Sequence, residues 1–146
     1  MYSDQRQRVL AEAATWLGTP YHLNARLKGI GVDCGTFLMA CFANTGLILD
    51  EDVGPFSPDF HLHRGEEIYF RQLEKYCHRL PAGQSPLPGD IATYQFGRIY
   101  AHGALVVEWP KIIHVHRQRG VIWDIATDNS LSFRQGPFWS YWGESL

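Results

Sequence analysis

The chain lacks any long hydrophobic run, any excess of one charge, and any quantity of cysteine. No apolar stretch approaches the roughly 20 residues of a membrane helix, so a helical membrane span is not expected. Thirteen Lys and Arg stand against fifteen Asp and Glu, for a net charge of -2 and a pI near 6.4. Such a balance gives no basic field to gather a phosphate backbone, and nucleic acid is not an expected partner. Three cysteines, Cys34, Cys41 and Cys77, form an odd and sparse set rather than a disulfide framework. On one helix Cys34 and Cys41 would lie about 10 Å apart along the axis, beyond the reach of a bridge. A reducing compartment suits them. The first residues, Met-Tyr-Ser-Asp-Gln-Arg-Gln-Arg, show neither the apolar core nor the cleavage site of a signal peptide. This predicts a protein made in the cytoplasm, then kept there or exported by a route the sequence does not encode. Internal repeats and low-complexity tracts are lacking as well.

What is present suits one globular domain over residues 1–146. Of the 146 residues, 45% are apolar, enough to build a core without disulfides or a structural metal. A helix of about 14 residues is expected at the start, with Asp4 as N-cap and Gln7 as its capping-box partner. Val9, Leu10, Ala13, Trp16 and Leu17 give it one apolar face, and Gly18 with Thr19-Pro20 ends it. A loop over Tyr21 to Val32 follows. Asp33 then caps a second helix carrying Phe37, Leu38, Cys41 and Phe42, which Asn44-Thr45-Gly46 stops. Residues 50–64 read as loop, and a third helix is expected from Glu66 to Arg79, burying Tyr69, Leu73, Tyr76, Cys77 and Leu80.

After Gly89 the periodicity changes. Ile91 to Phe96, Ala101 to Glu108, Lys111 to His116 and Gly120 to Ile125 are β-rich runs joined by short turns, the pattern of an antiparallel meander. Phe138 to Trp142 suits a last strand. Helices first and strands second predict an α+β domain with helices packed on an antiparallel sheet.

Cys34 directly follows a capping Asp at a helix start, where free amide N–H groups and the helix dipole favour a thiolate. A nucleophilic thiolate needs a nearby imidazole as ion-pair partner and proton shuttle. His102 and His114 lie on consecutive strands of the meander, where one would act as base and the other would orient it. His116 shares the strand parity of His114, and spacing alone does not choose between them. The expected resting state is a Cys34 thiolate with the imidazolium of whichever histidine is the base.

The motifs Trp16-Leu17-Gly18-Thr19-Pro20-Tyr21, Gly31-Val32-Asp33-Cys34, Leu87-Pro88-Gly89-Asp90-Ile91, Ala101-His102-Gly103-Ala104-Leu105-Val106 and Ile112-Ile113-His114 occur in this order. Together they resemble the ordered motifs of NlpC/P60 cysteine peptidases, over roughly residues 5 to 125. The Tyr21 to Cys34 loop and the segment from Pro58 to Arg64 are most similar to the phage-tail subgroup, also found in prophages and gene-transfer agents. The resemblance implies a papain-like α+β fold and cleavage of amide bonds in the peptide stems of bacterial cell wall, usually between D-γ-glutamate and a diamino acid. It implies Cys34 as nucleophile, His102 as general base and His114 as the orienting third residue. Tyr21 with the Cys34 amide would support the oxyanion, and no metal or organic cofactor is required. Gly35 departs from the family, which commonly has Ser there, a position linked to substrate binding.

Each of these residues also has a plainer reading. A lone Cys34 is more often a small core residue than a nucleophile, and only the motif pattern reverses this; Cys41 and Cys77 are read as core. Asp33 is read as an N-cap that supports the site rather than a catalytic carboxylate. Arg26 and Lys28 are surface charges by default, with stem-peptide carboxylates as the functional alternative. His61 and His63 are either a solvated loop or a flap lining the substrate groove. Zinc on His-x-His pairs lacks a Cys or carboxylate at ligand spacing. Trp139 and Trp142 are either sheet core or a docking surface for another tail protein. Two further functional readings stand beside the peptidase. One is a non-catalytic structural tail-tip protein that keeps the fold; the other is an amidase or acyltransferase using the same thiol.

Overall fold

Local sequence signals decide most of the element boundaries in the computed structural model, which describes residues 2–49, 73–96, 99–128 and 131–143. Helix α1 runs Ser3–Ala14. Its N-cap is Tyr2, without a side-chain cap; Tyr2 O accepts from Arg6 N, so Asp4 sits inside the first turn rather than capping it. There its carboxylate still meets the positive end of the helix dipole. Val9, Ala13 and Trp16 are buried as the spacing predicts. Gly18 turns the chain at φ +85°, and the segment then docks on a later strand: Gly18 N donates to Val121 O and Val121 N to Thr19 O. The close approach fixes Gly120, where a Cβ would lie 2.3 Å from the Thr19 carbonyl oxygen.

The stretch expected as a loop contains a small antiparallel hairpin, β1 (Arg26–Leu27) and β2 (Gly31–Val32). Helix α2 spans Cys34–Ala43 and starts at Asp33, as expected. Asp33 accepts from Thr36 N at 2.8 Å, and the Thr36 hydroxyl accepts from Asp33 N at 2.9 Å, a complete capping box. The apolar positions Phe37, Leu38, Cys41 and Phe42 are all buried. Of the third helix, residues 73–76 are helical, while His78–Arg79 form β3 instead, drawn off the helix by pairing with the last strand. Its first part, residues 66–72, and the whole 50–64 loop with His61 and His63 lie outside the described residues.

The second half follows the expected meander: β4 (Ile91–Phe96), β5 (Ile99–Glu108), β6 (Lys111–His116) and β7 (Gly120–Ile125), each antiparallel to the next. The last strand, β8, covers Gln135–Ser140, starting earlier than Phe138 and ending before Trp142. It pairs with β4 and β3, giving the order β3-β8-β4-β5-β6-β7.

α1 and α2 pack on each other and against β5, and α2 also reaches β6. The main core lies between these helices and the sheet, built from Val9, Trp16, Phe37, Phe42, Leu105 and Ile113 among others. Each such side chain, fully buried, is worth roughly 1.5–3 kcal/mol. A smaller cluster, with Tyr94, Val106 and Ile112, covers the alternate positions of the strands. Trp139 and Trp142 are 6% and 2% exposed and belong to the core, so they form no docking surface. Cys41 is buried and Cys77 partly buried against the same core. One ionic link ties the layers: Arg6, under Trp142 at 4.2 Å, donates to Asp90 at 2.9 Å and to the Pro88 carbonyl at 2.8 Å. The architecture is α+β, helices on an antiparallel sheet, as the chain order predicts. No helix among the described residues is long and apolar enough to cross a membrane.

Candidate active site

Cys34 is the first residue of α2, held there by the Asp33 cap. The second Asp33 oxygen accepts from Asn24 N at 2.7 Å, which ties the preceding loop to the helix start. Asp33 thus shapes the site from below, with both oxygens engaged on backbone amides. The Cys34 sulfur is half-buried and reached by the backbone N–H of Gly103, Gly35 and Cys34 itself. Gly103 follows His102 directly, so α2 delivers the thiol to the strand that carries the imidazole.

Strand β5 has a bulge beside His102. Tyr94 pairs with His102 and Gln95 with Tyr100, which leaves Ala101 without a partner. A bulge of this kind turns a strand and re-aims its neighbouring side chain. His102 Nε2 lies 2.9 Å from Nδ1 of His114, which is 3% exposed, with the two rings edge to face. His116 is engaged otherwise: its Nδ1 accepts from the amides of Gln118 and Arg119, both at 3.1 Å, and closes the turn into β7. The contact with His102 therefore distinguishes two histidines that spacing left equivalent.

Asp124 completes the row. Its Oδ2 accepts from His114 Nε2 at 2.9 Å, and its Oδ1 from Ile125 N at 2.8 Å. The sequence reading missed it, although a signal existed. The short turn over Arg117 to Arg119 sets His116 opposite Gly120, hence Ile112 opposite Asp124, one diagonal step from His114. A single carboxylate within the apolar run Val121-Ile122-Trp123-Asp124-Ile125 marks the same position.

Burial governs the protonation of the pair. It pushes the Cys34 thiol up to about 12; the Asp33 carboxylate adds to this, and the three amides oppose it. It also pulls the His102 imidazole down to about 3, helped by His114, Arg117 and His116. His114 is lowered by burial against the opposing pull of Asp124. Burial thus favours a neutral thiol and a neutral imidazole over the thiolate and imidazolium expected from the helix start.

Tyr21 lies near the site. It bridges to Val32, has its hydroxyl raised by burial, and feels Arg117, Asp33 and Cys34 electrostatically. Gly35 is the second residue of α2. Arg26 and Lys28 are not brought to this end. Arg26 reaches Asn44, the C-cap of α2, at 3.5 Å, and Lys28 pairs with Glu12 at 3.0 Å. The ten-residue helix separates that end from Cys34 by about 15 Å. With Trp16 and Leu27 they line an open groove of their own. Among the described residues no group of three His, Cys, Asp or Glu side chains is arranged to hold a metal.

No protein-family model matches the sequence, and no curated protein matches it. Solved structures do. An NlpC/P60 family protein from Bacillus cereus superposes with a TM-score of 0.69 at 17% identity, over 93% of this chain and 40% of that one. The chain has the NlpC/P60 fold. It also matches the NlpC/p60 domain of the peptidoglycan hydrolase SagA, with a TM-score of 0.62 at 19% identity over 92% and 97% of the two chains. RipD from Mycobacterium tuberculosis, described as a non-catalytic NlpC/p60 domain protein adapted to peptidoglycan binding, matches at 0.60 and 18% over 92% and 94%. The chain spans about two fifths of the Bacillus cereus protein and nearly all of the isolated NlpC/P60 domains.

Proposed function

We propose that this chain is a cysteine endopeptidase domain acting on the peptide stems of bacterial cell wall. The bond is an amide between D-γ-glutamate and a diamino acid. The observation that carries this reading is the His102–His114 contact at 2.9 Å on the strand whose Gly103 amide reaches the Cys34 sulfur. A nucleophile at a capped helix start, a base beside it and a third group on that base are the parts of a thiol acyl-transfer centre. The NlpC/P60 fold, shared with a peptidoglycan hydrolase, supports the substrate class.

In the mechanism, substrate binding excludes water and Cys34 passes its proton to His102 as sulfur attacks the carbonyl carbon. The Cys34 amide, with Tyr21, faces the developing oxyanion. His102 returns the proton to the leaving amine, and the C–N bond breaks to leave a thioester. His102 then takes a proton from water, which adds to the thioester carbonyl and releases the acid and the Cys34 thiol. From the resemblance of the Pro58 to Arg64 segment and the Tyr21 to Cys34 loop to the phage-tail subgroup, we further propose that the protein works in a tail assembly, with other tail proteins as partners.

Digestion of purified sacculi, read by mass spectrometry, tests the reading. Fragments heavier by one water than the parent pieces are expected, and their masses name the bond. Fragments joined to a second acceptor would instead make the thiol an acyltransferase. A binding role without cleavage, the description of RipD, has one point in its favour here, the neutral resting pair. Retention of sacculi by folded protein that releases no fragment would establish that role and overturn the peptidase.

A further inference from the structure

The row of contacts does not end at His114, and its last member determines the direction of every proton in it. Asp124 Oδ2 stands 2.9 Å from His114 Nε2, and His114 Nδ1 stands 2.9 Å from His102 Nε2. A carboxylate only accepts, so His114 Nε2 carries the hydrogen. His114 is 3% exposed, and its burial, with His116 and Arg119 nearby, opposes a second proton on the ring. A neutral His114 with its hydrogen on Nε2 has a lone pair on Nδ1, which accepts from His102 Nε2–H. A neutral His102 with its hydrogen on Nε2 has its lone pair on Nδ1, where it can accept the Cys34 proton.

We propose that Asp124 is a positioning residue that fixes, through His114, the tautomer in which Nδ1 of His102 carries a lone pair that can take the proton of Cys34. The role rests on the peptidase reading for its consequence in turnover, but the tautomers themselves do not depend on it. When the Cys34 proton arrives at Nδ1, His102 becomes an imidazolium whose Nε2–H still points at the His114 lone pair. The negative charge two steps away at Asp124 then favours that cation, against the opposing Arg117 and His116. Tyr94 closes the other side, with its ring 5.9 Å from that of His102 and its buried hydroxyl near the Asp124 carboxylate. Asp124 is itself held rigidly, since Oδ1 accepts the Ile125 N–H at 2.8 Å.

That last bond makes one substitution diagnostic. In Asp124→Asn the Ile125 N–H still demands an acceptor, so the amide oxygen faces it and the amide nitrogen faces His114. A donor then meets His114 Nε2, the His114 hydrogen moves to Nδ1, and the His102 hydrogen moves to Nδ1 in turn. The base is lost without losing a contact.

The test is nitrogen-15 NMR of histidine-labelled protein at neutral pH, with stem-peptide kinetics alongside. Wild type should show His102 and His114 both protonated at Nε2. Asp124→Asn should show both at Nδ1, with kcat lower by on the order of 10^3- to 10^4-fold, the scale of a wrong tautomer in a triad, and KM little changed. A wild-type His102 protonated at Nδ1 overturns the proposal, and so do unchanged tautomers in folded Asp124→Asn. Should that variant not fold, the wild-type spectrum still decides. If wild type shows the stated tautomers yet cleaves no stem peptide, the peptidase reading falls and the relay stands.

Discussion

Two carboxylates in this molecule each meet a basic side chain at 2.9 Å, Asp90 with Arg6 and Asp124 with His114. The first pair joins α1 to the turn before β4, with side chains 6% and 2% exposed; the second joins β6 to β7, with side chains 4% and 26% exposed. Arg6 never gives up its proton, so its pair is a fixed brace between helix layer and sheet. His114 carries one proton on either of two nitrogens, so its pair stores a direction. Similar geometry therefore serves rigidity in one place and proton orientation in the other. What separates them is the second partner of the base: Arg6 also donates to the Pro88 carbonyl, closing on the backbone, whereas His114 passes its contact on to His102.

The largest effect separating the two is on stability. Arg6→Met leaves Asp90 buried without its cation and should cost about 3–5 kcal/mol. Urea unfolding should show this loss while turnover per folded molecule stays unchanged. A loss of activity at full stability would place Arg6 in the site instead.

Next comes the response to acid, which the histidines of the relay carry. His102 is held at about 3, far below an ordinary histidine at 6.5, and His114 is lowered too. Between these values the unfolded chain binds more protons than the folded one. Stability is thus complete above pH 6.5 and falls as the pH drops from there toward 3. Melting temperatures across this range should decline less steeply in His102→Gln than in wild type; parallel curves would remove His102 as the cause. The Cys34 thiol, raised to about 12, should be alkylated by iodoacetamide at a rate that keeps rising through pH 8 and 9. A plateau below pH 8, resolved at Cys34 by peptide mapping, would restore the ion pair expected from the helix start.

The smallest effect sharpens the choice between neighbouring histidines. His116→Ala removes two turn contacts and should cost about 1 kcal/mol with turnover nearly intact. His114→Ala should lower kcat by at least a hundredfold, within the scale that triad members contribute. Equal losses in the two variants would contradict the assignment of His114.

Strands β4, β6 and β7 stand where the sequence puts them because glycine and proline turns bound short apolar runs. The α2 start was equally legible, since Asp33 and Thr36 form a capping box at the right spacing. The β1–β2 hairpin was not, because two-residue strands of mixed charge have no period to read. Nothing in the sequence marks Arg6 for burial, which comes from Pro88 and Asp90, 82 and 84 residues later in the chain. For the site, Cys34, His102 and His114 follow from residue type and motif order. Asp124 needed register, which lies in the length of the β6–β7 turn rather than in any motif. Neutrality of the pair was not legible at all: it depends on how deeply three elements bury it together.

The central claim is that Cys34 is the nucleophile of a stem-peptide hydrolase, and one comparison tests it most directly. Wild type and Cys34→Ala, matched for folding by their melting curves, are incubated with one defined stem peptide and the products weighed. The account predicts cleavage by wild type and none by the variant. Cleavage by folded Cys34→Ala at a rate near that of wild type would contradict it.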